Sequence, residues 1–106
     1  MDDLLVTFMP KFAAIAKTRV ARSIDLASQR TNDSATAIAR EMHAIAGEAG
    51  LLGIGNIVTL ARSGEEHAKR LRTSSSDADA AALLASLDEL KRAIELVTSN
   101  QKGPNE

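Results

Sequence analysis

Apolar positions recur at three- and four-residue spacing along the whole chain, and no stretch shows sustained alternation. That is the period of helices with one buried side, not of strands. Nineteen residues are alanine, the best helix former. Asp2 to Phe8 predicts a short apolar helical segment. Pro10 then fits the first turn of a second helix, where its missing N–H does no harm. That helix extends to about Gln29, with a stripe of Phe12, Ala16, Val20 and Ala27 widened by Ile15, Ile24 and Leu26. Thr31, Asn32, Asp33 and Ser34 supply a break and a choice of N-caps. The next helix spans about Asp33 to Leu52, and Gly53 and Gly55 stop and turn it. Another runs from about Ile54 to Arg72, with Ile57, Val58, Ala61, Ala68 and Leu71 facing inward. Ser76, with Asp79 three residues on, caps a last helix that buries Ala80, Leu83, Leu84, Leu87, Leu90, Ile94 and Val97. Ser99 to Glu106 is polar and predicts a flexible tail, which leaves residues 1–98 as one helical domain. Four substantial amphipathic helices with short connections bury their stripes together as an antiparallel up-down bundle. The expected fold class is therefore all-α, a four-helix bundle with a short additional N-terminal helix.

Composition narrows the function classes. The chain has 106 residues, 44% of them hydrophobic, enough for one modest core. It has no cysteine, which excludes a disulfide framework, a zinc ribbon and a thiol nucleophile. A net charge of -1 argues against nucleic acid or anionic lipid as a partner. Two Phe, with no Trp or Tyr, leave no stacking platform for bases. Met1 is followed by Asp2 and Asp3, the wrong sign for a signal peptide. The most apolar run, Ala49 to Ala61, is interrupted by glycine and too short to span a bilayer. These features point to a cytoplasmic monomer with no membrane or nucleic-acid partner. The starting Met and short tail favour a stand-alone protein over an excised domain.

One helix carries candidate chemistry. In the segment from Asp33 to Leu52, the residues Ile38, Met42, Ile45, Ala49 and Leu52 fall in one narrow stripe, the core face. His43 lies roughly 140° from the centre of that stripe. One turn away stand Ala39 and Arg40 before it, and Ala46 and Gly47 after it, with Gly50 on the same side. The histidine thus stands on a surface cleared of large side chains, with Arg40 the long neighbour. Each mid-helix glycine costs about 1 kcal/mol relative to alanine. Gly47 sits about opposite the core stripe, so packing within the bundle does not explain it. A surface that another protein must approach closely does. An exposed imidazole is nucleophilic near neutral pH and can accept a phosphoryl group.

The segment His43-Ala44-Ile45-Ala46-Gly47-Glu48-Ala49-Gly50-Leu51-Leu52-Gly53 resembles the signature of histidine-containing phosphotransfer (HPt) domains. That signature has an aliphatic residue two after the histidine, glycine four after and glycine ten after, and Ile45, Gly47 and Gly53 meet it. The resemblance implies a phosphorelay intermediate, phosphorylated on Nε2 of His43, that takes the group from a receiver-domain aspartate or a histidine kinase and passes it to another receiver. It implies that Gly47 clears space beside the phosphoacceptor, and that Ile45 and Gly53 are structural. Family members often have Lys three residues after the histidine; here that residue is Ala46. Arg40 is expected to supply some of the missing positive charge. The docking face is expected around Ala39, Ala46, Gly47 and Gly50, with Leu51 contributing. No cofactor is expected on this chain, and Mg²⁺ is expected on the receiver partner.

Phosphoryl transfer needs positioning and neutralised charge more than covalent chemistry. Leu51-Leu52-Gly53-Ile54-Gly55-Asn56 lacks the Lys-Ser/Thr of a P-loop and follows a helix rather than a strand, so neither an ATP site nor autokinase activity is expected. His67 lies in the charged run Glu65-Glu66-His67-Ala68-Lys69-Arg70 with no motif around it and reads as an ordinary surface residue. Two histidines without cysteine make no convincing metal site. Glu41 and Glu48 read as solvated flanks. Arg62, Lys69, Arg70 and Arg72 read as a solvated face before a steering patch for an acidic partner. Two rival readings remain: a non-catalytic adaptor that binds or sequesters a receiver with the same face, and a plain structural bundle.

Overall fold

The computed structural model describes residues 2–102, with side chains described from 7 to 97. The described residues form four helices: α1 (Asp2–Ala27), α2 (Asn32–Leu52), α3 (Gly55–Ser74) and α4 (Asp77–Lys102). Each packs on two others, α1 on α2 and α4, and α3 on α2 and α4, while among the described residues the diagonal pairs do not meet. Contacts between α2 and α3 run in opposite directions: Met42 faces Gly64, and Gly50 faces Val58. The core lies along the axis, where Val20, Ile38, Met42, Ile45, Ile57, Leu83, Leu87, Leu90 and Ile94 are fully buried.

The N-terminal expectation needs correction. There is no separate short helix before Pro10, because α1 runs unbroken from Asp2 to Ala27 with Pro10 inside it. Proline removes one backbone donor and crowds the preceding turn, at a cost of about 3 kcal/mol in a helix interior. Here the ring is exposed, and Phe12, Ala13 and Ala16 just after it are buried. Core contacts of that following turn hold the helix through the defect. At the other end, α4 continues to Lys102, into the stretch expected as tail, and residues 103–106 lie outside those described. Two positions assigned to core stripes, Ile15 and Leu84, are exposed.

The caps follow the local chemistry. Thr31 Oγ1 accepts from Ser34 N–H, and Ser34 Oγ accepts from Thr31 N–H, both at 3.0 Å, a reciprocal box opening α2. At the other end Gly53 adopts φ 75°, which glycine takes without a Cβ penalty, and Ile54 N–H reaches back to the Ala49 carbonyl at 2.9 Å. Asp79 N–H donates to Ser76 Oγ at 3.1 Å at the start of α4. The α2–α3 connection is therefore tight, and it fixes the register of the two helices that build the site.

Candidate functional site

The site begins with how α2 is held. Its buried residues run from Ser34 and Ala35 through Ile38, Ala39, Met42, Ile45 and Ala46 to Ala49. Met42 is fully buried and lies against α3 at Gly64. A Cβ added at Gly64 would sit 2.9 Å from Met42 Sδ, closer than atoms pack, and a tight 3.3 Å from its Cγ. Glycine at 64 therefore lets α3 approach α2 beside Met42. The next residue on each helix is the chemically interesting one, His43 on α2 and Glu65 on α3.

The His43 side chain is 74% exposed, and its Nδ1 lies 3.3 Å from Glu65 Oε2. The Glu65 side chain is only 13% exposed, so this carboxylate is set into the seam beneath the ring. With the proton on Nδ1, the N–H donates to Glu65 and the Nε2 lone pair is left pointing away from that bond. Lys69 Nζ lies 3.6 Å from the same Glu65 oxygen, one helical turn on. These three groups share a shallow depression with Thr36, Arg40 and Arg72. Open space begins one turn beyond: a Cβ added at Gly47 would meet no atom within 4 Å. Gly50 differs, since its Cβ would make ordinary contact with Val58 at 3.9 Å.

The expected docking face is corrected in part. Gly47, Gly50 and Leu51 are exposed, Leu51 at 89%, and Arg40 is exposed beside His43. Ala39 and Ala46 are instead core residues, at 9% and 2% exposure. They are one heptad apart on the flank of α2 that closes against α3, and their small size belongs to that close approach. The apolar surface lies elsewhere. Leu51 joins Phe8, Phe12, Ile15 and Leu52 along a groove between α1 and α2. Phe8 and Ile15, exposed at 43% and 48%, were not on the expected face.

Sequence reasoning also missed Glu65, which looked like one more charge in a charged run. The available signal was Gly64: a glycine inside an alanine-rich helix, with no turn to make, marks a close approach. Glu41 is not a solvated flank. Its side chain is 15% exposed, and its oxygens lie 2.9 Å from Arg19 Nη1 and 3.5 Å from Arg22 Nη1, tying α1 to α2. His67 does not line the depression. Among the described residues no group of three or more His, Asp or Glu side chains gathers to hold a metal, and no helix is long and apolar enough to cross a membrane. The family model for the Hpt domain matches residues 9–97 of the chain. No curated protein and no solved structure matches it.

Proposed function

The chain belongs to the Hpt domain family, phosphotransfer carriers of two-component systems rather than kinases, and we propose that its phosphoacceptor is Nε2 of His43. In this reading it is a cytoplasmic monomer built as an antiparallel up-down bundle. It shuttles the group between receiver aspartates, or from a histidine kinase to a response regulator. The observation that carries the reading is the imidazole itself: it stands 74% exposed on a rigid helix, and Glu65 engages Nδ1.

That geometry suits in-line attack. The Nε2 lone pair attacks phosphorus of a receiver acyl phosphate, the N–P bond forms, the P–O bond breaks, and the aspartate leaves as carboxylate. The proton stays on Nδ1, so the ring becomes an imidazolium whose positive charge faces the Glu65 carboxylate. Onward transfer reverses these steps, and the ring returns to neutral. Glu65 thus fixes the nucleophilic nitrogen and offsets the charge that develops on the ring. Gly47 leaves room for the incoming acyl phosphate, and Arg40 adds positive field beside it. Mg²⁺ belongs to the receiver. The exposed groove with Leu51 and Phe8 gives an apolar surface for docking, and Gly50 extends the cleared face.

Incubation with a phosphorylated receiver tests this. An acid-labile, alkali-stable label on His43, absent from His43→Gln, is the expected result. Receiver binding without label would instead support the adaptor reading, and neither binding nor label would leave a structural bundle.

A further inference from the structure

A phosphoryl group on His43 brings about two negative charges into a depression that already holds the Glu65 carboxylate. The position from which a family lysine would neutralise them is Ala46, 2% exposed and closed in the helix seam. Three cations border the depression, Arg40, Lys69 and Arg72, and they are not equivalent. Lys69 is the one ion-paired to the group that touches the imidazole. Its Nζ lies 3.6 Å from Glu65 Oε2, the oxygen that faces Nδ1 at 3.3 Å. Helical side chains lean toward the N-terminus of their own helix, so Lys69 leans back over Glu65, while Arg40 leans away from His43.

We propose that Lys69 is the phosphoryl-binding cation of this domain, supplied by α3 in place of the position that α2 fills with Ala46. This rests on the reading of His43 as phosphoacceptor. While the ring is bare, Lys69 rests on Glu65. When transfer places a positive charge on the ring, that charge becomes Glu65's partner through Nδ1–H. The ammonium is then released toward the stronger dianion on Nε2. The Lys69 side chain is 47% exposed and flexible, so it can make this exchange, whereas the carboxylate at 13% exposure stays in place. A single carboxylate oxygen therefore couples the protonated ring nitrogen to the cation that holds the phosphoryl group.

Phosphoramidate tests this with no protein partner, so neither docking nor a receiver's own cation intervenes. The Nε2–P bond forms, the P–N bond of the donor breaks, ammonia leaves, and the ring keeps its Nδ1 proton. Wild-type protein is expected to take the label on His43. Lys69→Gln is expected to label about fivefold more slowly, the scale of one exposed charge pair, while Lys69→Arg restores most of the rate. Arg70→Ala, which removes an α3 cation that does not line the depression, is expected to change it by less than about twofold. The Lys69 Cε resonance should shift on labelling, and the Lys69→Gln defect should persist in a Glu65→Gln background. An unchanged rate in Lys69→Gln overturns the proposal while leaving His43 as phosphoacceptor. So does a defect that vanishes in Glu65→Gln, since Lys69 would then act only by placing the carboxylate. Wild-type protein that takes no label on His43 overturns both readings.

Discussion

Gly64 and Gly47 both lie inside helices close to His43, and the space around them differs completely. At Gly64 an added Cβ would fall 2.9 Å from the buried Met42 sulfur; at Gly47 it would meet nothing within 4 Å. The first glycine is required by packing, because α3 must come close enough for Glu65 to reach the imidazole. The second is required by nothing inside the molecule and carries a cost of about 1 kcal/mol to helix stability. A glycine that the packing does not need, at a position where alanine would make the better helix, fits the proposed approach of a partner. The inner glycine lets the two helices close beside His43, and in the proposed reading the outer one leaves room for the receiver.

That contrast can be broken by adding bulk at each position. Gly64→Leu should cost about 3 kcal/mol of stability, read by denaturant unfolding, because overpacking there displaces Met42. Combining it with Met42→Ala should give a loss well below the sum of the two single losses, since both changes act on one space. Gly47→Leu should leave unfolding unharmed but slow transfer from a phosphorylated receiver at least about tenfold, equivalent to about 1.4 kcal/mol. Gly47→Ala should raise stability by about 1 kcal/mol in the same unfolding experiment, whereas Gly64→Ala should lower it by about 1 kcal/mol, overpacking outweighing the gain in helix propensity. The smallest effect belongs to Arg19→Ala. Its pair with Glu41 joins α1 to α2, outside the depression around His43, and is partly exposed, so the loss should be under about 1 kcal/mol, with transfer rates unchanged. Equal stability losses at both glycines would erase the distinction.

Most of the helices were readable in advance because their signals are local. The Thr31–Ser34 box, the left-handed Gly53 and the Ser76 cap each act within a few residues. Pro10 misled for the complementary reason. Its local effect is to break a helix, and the burial of Phe12, Ala13 and Ala16 outweighed it. Ala39 and Ala46 misled because a helical wheel drawn around one stripe does not reveal how far a second neighbour closes over its flank. On that wheel His43 and Ala39 are near neighbours, yet one is exposed and the other is in the core.

The sequence by itself determined the all-helical class, the caps, most of the core and the exposure of His43. These depend on periodicity and on interactions a few residues long. Only the tertiary structure decided which partner meets the imidazole. Glu65 is 22 residues from His43 along the chain, and no local rule joins them. They meet because the tight turn at Gly53 fixes the register of α2 against α3, and because the missing side chain at Gly64 lets the two helices close together at that level.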